Sequence, residues 1–546
     1  MQKKLSTKLF QRSNIVFGLI LFLVLIVRGV FIDRFPTGVN HDEAEVLLSA
    51  VSYAKSGTDF SGSAFPYSLY STDTEAGLSG LPSVLLSVIF SIIPLTELNA
   101  RIVYFLLSFS TSIALYYLVR ILGGSVKLAR ISILVFLISP WMVFYSRALT
   151  EAPFALFFTI LSLLFFFSKF KRSSLLFFIT AVSSYLSYQG AKPLMAILSF
   201  VLLFVAVKLK LGRAKLYYTI TFLVFSIAFV VFSVMDGNST IAKRSSEVSF
   251  LNPSAFSEEV NDTRLRSINT PLTPLIENKY VYMIENAIKV YLGFFTPDVL
   301  LWGGDPAATY RFGNWGLIYV LDLLFILIAV FIAGGSRYKH KNIFYISVLL
   351  LLIGISGSVF SGVRTSYIFR SFVAPIGILI LVSLGIYALS KLEYWYKNLL
   401  LFGVSCLYTF FYLFFIHRFL TSYPVMQQEN QFYSEKVLSE FLKRVPPETK
   451  VVVNGVSPTQ LSSMYLFYTG ERDFSKVKKT EGGIVVGNVV FSSSCGQIDG
   501  DLTISRVSVC GKSSNPSLVI QDFKDAGYIF EIDGINYCSD LSLIHI

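Results

Sequence analysis

The chain has 546 residues, 54% of them hydrophobic and only 15% charged, with a mean hydropathy of +0.63; one soluble core cannot bury that much apolar surface. Its 51 phenylalanines and its apolar runs of 15 to 22 residues between short basic stretches suit helices that cross ~30 Å of hydrocarbon, which excludes a soluble enzyme and implies a polytopic helical membrane protein. The net charge of +12 collects in short loops, where Lys and Arg mark the cytoplasmic side, so it is a topology signal and implies no nucleic-acid partner.

From the N-terminus, spans are expected near 14–32, 100–121, 130–144, 153–168, 174–188, 193–208, 216–235, 316–333, 343–360, 369–390 and 399–418, eleven in all. The first has a basic start but runs into Arg28, Asp33 and Arg34 with no small-residue cleavage site, which predicts a retained anchor rather than a signal peptide. Every second connection is basic: Lys3, Lys4, Lys8 and Arg12; Lys127 and Arg130; "KFKR" at 169–172; "KLKLGRAK" at 208–215; "RYKHK" at 337–341; and Lys391 with Lys397. This pattern puts the N-terminus in the cytoplasm, and an odd number of spans puts the C-terminus outside the cell membrane.

The outer connections are uneven, with long loops at 33–99 and 236–315. In the first, 42–55 reads as an amphipathic helix, and "LPSVLLSVIFSIIPL" at 81–95 is too short to span, so it is expected to lie in the interface. From about residue 425 the chain changes character: a helix, the strand "KVVVNG", a helix opened by Ser457 and Pro458, then strand-like "GGIVVGNVVF", "LTISRVSV", "SLVIQDF" and "YIFEIDGINY". The boundary is drawn there, with 1–424 as the transmembrane domain and 425–546 as a small extracytoplasmic α/β domain. Three of the four cysteines, Cys495, Cys510 and Cys538, fall in that domain, and an oxidising compartment permits one bridge, for which Cys495–Cys510 is the expected pair.

The stretch "FPTGVNHDEAEVLLSAVSYAKSG", residues 35–57, sets His41, Asp42, Glu43 and Glu45 where the chain has just left the first span. Asn40 can cap a helix and Glu43 can complete a capping box, which accounts for Glu43 but does not require Asp42. Adjacent helix positions point ~100° apart, so Asp42 is free to face a cavity. "YSRALTEAPFALFF" puts Arg147 and Glu151 one turn apart at the outer start of a span, "SYQGAKPL" adds Tyr188, Gln189 and Lys192, and "SGVRTSYIFRSF" adds Arg364, Tyr367 and Arg370. Polarity is thus concentrated at one membrane face, whereas a transporter is expected to carry it near the midplane. A carboxylate there can act as a general base and cations can stabilise a departing phosphate. Neither a Walker-type loop nor a GxGxxG after a strand is present, so the donor need not be a nucleotide.

The first ~210 residues resemble the integral-membrane glycosyltransferases of the GT-C superfold, in particular the dolichyl-phosphate-mannose protein mannosyltransferases (glycosyltransferase family 39) and the bacterial lipid A aminoarabinose transferases. The pieces that carry the likeness are "HDEAEVLLSAVSYAKSG", "LTELNARIVYFLLSFSTSIALYYLVRILGG", "ISPWMVFYSRALTEAPFALFF" and "RSFVAPIGILILVSLG", in that order. The resemblance implies a GT-C fold, a polyprenyl-phosphate sugar donor, and Asp42 and Glu151 as the two acidic catalytic positions. No cofactor is expected to be required, and with four histidines and none spaced to join His41, a metal ion is possible but not expected. Where relatives carry a Lys-Pro-Pro element, this chain reads "STDTEAGLSGLPSV" with no lysine. Phosphate contacts are then expected from Arg147, Lys192, Arg364 and Arg370, with Glu43 and Tyr188 as further substrate-binding residues. The expected activity is inverting transfer of one sugar to a lipid, glycan or protein acceptor outside the cytoplasm; a lipid-linked-sugar flippase and a non-catalytic subunit of a cell-envelope glycan assembly are the alternatives.

Overall fold

The computed structural model describes residues 2–64, 78–235, 256–268, 270–306, 311, 315–335, 339–360, 365, 367–427, 431–496, 500–512, 516–521 and 528–533. Arg364, Asp73, Glu75 and Cys538 lie outside the described residues. The principal helices are α1 (Gln2–Gly29), α2 (His41–Ser56), α3 (Leu81–Phe90), α4 (Glu97–Ile121), α5 (Val126–Ile138), α6 (Pro140–Tyr145), α7 (Ala152–Phe167), α8 (Ser173–Ser187), α9 (Ala191–Lys208), α10 (Arg213–Met235), α11 (Val320–Ala333), α12 (Lys341–Gly354), α13 (Ala374–Leu389), α14 (Lys397–Thr421), α15 (Tyr433–Leu442) and α16 (Pro458–Thr469). They fall into two compact units, Met1–Ile32 with Arg101–Leu420, and Asp33–Ala100 with Thr421–Ile546.

In the first unit every segment expected to cross the membrane contains helix. Among the described residues, four helices are long and apolar enough to cross by length and composition: Glu97–Ile121, Ala191–Lys208, Lys341–Val359 and Lys397–Thr421. Asn14–Gly29, Ala152–Phe167, Ser173–Ser187, Val320–Ala333 and Ala374–Leu389 are shorter apolar helices. The helix expected over 130–144 is two, because Pro140 has no N–H to donate and Ser139 before it takes an extended backbone (φ −61°, ψ 134°). Carbonyls freed at such a break find no water in hydrocarbon and need other donors. Arg28, fully buried on α1, supplies one: its guanidinium donates to the Leu137 carbonyl (2.7 Å) at the end of α5, and also to the Met142 carbonyl and the hydroxyls of Ser108 (2.8 Å) and Ser146 (3.3 Å). Close backbone approach between helices uses glycine, as expected where lipid removes the hydrophobic drive to associate. A Cβ on Gly385 of α13 would stand 2.0 Å from the Phe325 carbonyl of α11, and one on Gly377 2.4 Å from that of Ser347 on α12.

The second unit joins the first outer loop to the C-terminal region around a seven-stranded sheet. Its strands are β1 (Val451–Asn454), β2 (Val477–Thr480), β3 (Gly483–Val486), β4 (Val489–Phe491), β5 (Leu502–Arg506), β6 (Leu518–Gln521) and β7 (Tyr528–Asp533), in the order β2-β3-β4-β1-β5-β7-β6. The run "VVVN" is buried at all four positions because β1 has parallel neighbours, β4 and β5, on both sides. "GGIVVGNVVF" is a hairpin turned at Gly487 (φ +61°), where only glycine is at ease. β2, "VKKT", is an edge strand whose lysines hide it from an alternation pattern. "LTISRVSV" is strand only to Arg506 and turns helical at Val507–Cys510. The expected disulfide, Cys495–Cys510, is formed. Replacing both cysteines by serine frees a 15-residue loop and is expected to cost about 3 kcal/mol, measurable as an earlier unfolding midpoint of the purified chain.

The same core takes in α2. Leu48, fully buried, belongs to one apolar cluster with Leu438, Phe441, Val451, Val453, Leu466 and Phe491, and α3 docks alongside through a bond from the Ser83 hydroxyl to the Val46 carbonyl (2.9 Å). A boundary drawn at 424/425 therefore parts residues that share one core, since Asp33–Ala100 belong to the C-terminal unit. Leu48→Ala is expected to destabilise that unit by about 2–5 kcal/mol, read by denaturant titration of the full chain.

Candidate active site

Asp42 owes its setting to the start of α2. The Asn40 side chain accepts from the Glu43 amide (2.9 Å) and the Glu43 carboxylate accepts from the Asn40 amide (3.1 Å), which is the capping box expected from the sequence. Glu43, expected as a substrate contact, is 6% exposed and takes part in this cap. The Asp42 side chain is 33% exposed and lies in the first turn, where the helix dipole favours a carboxylate. Its Oδ1 atom is buried without a hydrogen-bond partner and lies 3.4 Å from His41 Nε2. His41 Nδ1 is likewise buried without a partner. Three residues after Asp42, Glu45 is 1% exposed, a buried acid that its position in the motif did not distinguish.

In the first unit a second acidic position, Glu151, stands just before α7 and is 4% exposed. The turn leading to it is pinned from α4: Arg101 donates to the Arg147 carbonyl (3.0 Å) and the Tyr104 hydroxyl to that of Leu149 (2.9 Å). Glu151 is close enough for its charge to act on both Lys192 and Tyr145. Lys192, 8% exposed at the start of α9, donates to the Gln189 side chain. Tyr188 packs edge-on against Phe369 (6.4 Å) and Phe372 (5.8 Å). The turn that carries Phe369 and Arg370 comes in over Gly357, where a Cβ would lie 2.2 Å from the Arg370 carbonyl and 3.4 Å from that of Gly190. The Arg370 guanidinium stands over Tyr367 at 5.0 Å. Asp305 from the middle loop, fully buried, accepts from the Phe369 amide (2.9 Å) and steadies the same turn. Glu151 and Lys192 thus lie within electrostatic reach of each other, and Tyr188 packs against Phe369 on the turn that carries Arg370.

Arg147, expected above as a phosphate contact, is engaged at the end of α1. It is fully buried, its guanidinium donates to the carbonyls of Arg28 (2.7 Å), Val30 (2.9 Å) and Phe31 (3.4 Å), and it stands over the Phe419 ring at 5.4 Å. It serves the orphan carbonyls at the C-terminal end of α1. Sequence reasoning missed Arg28 and Arg101, although a lone cation inside an apolar helix is itself a signal. Of the aromatic loop at 285–316, Trp315 packs against Tyr319 and Phe415, whereas Trp302 is 54% exposed. Among the described residues no group of three His, Cys, Asp or Glu side chains could hold a metal ion.

No family model matches the chain and no curated protein matches it. Among solved structures, it is similar to the archaeal oligosaccharyltransferase AglB from Archaeoglobus fulgidus in complex with an inhibitory peptide and a dolichol-phosphate, at 11% identity and a TM-score of 0.44, covering 91% of this chain and 70% of that one. The apo Archaeoglobus fulgidus oligosaccharyltransferase gives 13% identity and a TM-score of 0.42 over 88% and 65% of the two chains. ArnT from Cupriavidus metallidurans bound to undecaprenyl phosphate gives 11% identity and a TM-score of 0.38 over 94% and 97%.

Proposed function

We propose that the protein is a GT-C-type glycosyltransferase of the cell membrane that transfers one sugar from a polyprenyl-phosphate donor to an acceptor on the extracytoplasmic face, with inversion at the anomeric carbon. The observation that carries this is the contrast at the start of α2: Glu43 is bound into the helix cap, while the neighbouring Asp42 keeps a carboxylate oxygen with no hydrogen-bond partner. In the proposed step Asp42 takes the proton from an acceptor hydroxyl, the acceptor oxygen bonds to the anomeric carbon, and the bond from that carbon to the phosphate oxygen breaks, releasing polyprenyl phosphate. Lys192, Arg370 and Arg364 are assigned to the phosphate, which gains negative charge as it departs. Glu151 and Tyr188 are assigned to orienting the donor. Eleven crossings, a cytoplasmic N-terminus and an extracytoplasmic C-terminal region belong to the same proposal and rest on the distribution of basic loops.

The test is to incubate the purified full chain in lipid with a panel of radiolabelled polyprenyl-phosphate sugars. Release of label that requires an intact Asp42 supports transfer. A flippase instead predicts that Asp42→Asn keeps its activity and that substitutions near the membrane midplane abolish it, and a non-catalytic subunit predicts no release from any donor.

A further inference from the structure

The residues just ahead of Asp42 are held from the C-terminal region at four successive points. Lys436 of α15 donates to the Thr37 carbonyl (3.3 Å). At Gly38 the backbone runs so near that of Gln431 that a Cβ would stand 2.1 Å from its carbonyl oxygen. The Val39 amide donates to the Tyr468 hydroxyl of α16 (2.6 Å). The His41 ring meets Phe432 edge-on, with centroids 5.8 Å apart and planes at 79°. The holding groups are themselves fixed: Lys436 pairs with Glu97 at 2.9 Å and stands over the Tyr468 ring at 5.5 Å. Phe432 has a left-handed backbone (φ +54°), which a bulky residue adopts only where its surroundings impose it. None of this is local, since Tyr468 is 429 residues from Val39. Ordinary packing of an outer loop needs apolar contact, and Leu48 already supplies it; four polar and shape-specific contacts on a run of five residues, ending at the residue beside Asp42, fix a direction.

We propose that Tyr468, Lys436 and Phe432 are positioning residues: the C-terminal region holds the strap 37–41 and through it aims the Asp42 carboxylate. This rests on Asp42 being the base. On this account the C-terminal region acts in the chemical step without touching substrate, and a misplacement of the order of 1 Å there is costly to rate.

The test uses the full chain in lipid nanodiscs, with Tyr468→Phe, which removes one hydroxyl and keeps the ring under Lys436, and Lys436→Met as the second variant. Hydrogen exchange in the peptide containing Val39 to Asp42 is expected to be faster in both variants, while peptides from β1 exchange as in the parent chain, which shows that the sheet is folded. With radiolabelled undecaprenyl-phosphate mannose as the probe, or the panel sugar that the parent chain uses, kcat is expected to fall roughly 10- to 100-fold with donor KM unchanged, and Lys436→Arg is expected to recover most of the loss. Exchange in that peptide equal to the parent's in both variants overturns the proposal, as does a fall in kcat without faster exchange. Faster exchange together with full transfer by Asp42→Asn overturns the assignment of the base and leaves the clamp standing, so the two failures are told apart.

Discussion

Asp42→Asn is expected to lower sugar transfer by roughly 10²–10⁴-fold, the usual contribution of a general base, while leaving the amount and thermal stability of folded protein unchanged. The amide has the size of the carboxylate but cannot take a proton at neutral pH. Stability should be indifferent because the helix start is secured by its neighbours: Asn40 and Glu43 exchange the two capping bonds, and no hydrogen bond is made by Asp42 Oδ1. The adjacent acid gives the opposite pattern. Glu43→Gln is expected to disturb the cap, at about 1 kcal/mol, with a smaller effect on rate. Two neighbouring acids, one governing rate and the other stability, constitute a sharper signature than either loss alone, and initial rates with the radiolabelled donor panel, set beside melting curves, read both. An Asp42→Asn variant that transfers sugar at the parent rate removes the general base and with it the enzymatic mechanism.

The parts of this molecule that were legible in the sequence are those decided by neighbours along the chain. "NHDE" spells a capping box because cap and reciprocal acid lie three residues apart, and the cap is made as written. "KVVVNG" reads as a strand because an unbroken valine run suits an extended, buried segment, and it forms β1, with β4 and β5 as its neighbours. What stayed hidden was decided by residues far apart in the chain. Nothing in "EAEVLLSAV" announces that Leu48 packs with Phe491, because an apolar face on an amphipathic helix fits any apolar partner. Pro140 breaks the span expected over 130–144, and the buried arginine that donates to the Leu137 carbonyl at that break comes from α1. The cations of the outer turns were alike in the sequence, since a basic residue near a membrane face serves equally as anchor, phosphate contact or helix cap; only hydrogen-bond partners separate Arg147 from Lys192.

That separation makes Arg147→Met the second large effect, and a loss of fold rather than of chemistry. The fully buried guanidinium serves three carbonyls at the end of α1, those of Arg28, Val30 and Phe31. Methionine fills the space beside Phe419 but donates nothing, so these carbonyls lose a charged partner where no water can replace it. A cost of about 3–5 kcal/mol is expected, seen as a lower melting temperature and a smaller folded yield of the full chain in detergent. Arg147→Lys should recover only part of it, because one ammonium cannot reproduce a planar fork that spans several acceptors. If Arg147 met the lipid phosphate instead, Arg147→Met would melt like the parent and show its defect as a raised KM for the donor. Lys192→Met supplies the contrast: its ammonium donates to the Gln189 side chain and lies within reach of the Glu151 charge, so there the raised donor KM is expected to dominate, and the pair of variants separates the cation that holds the helix from the cation proposed to hold the substrate.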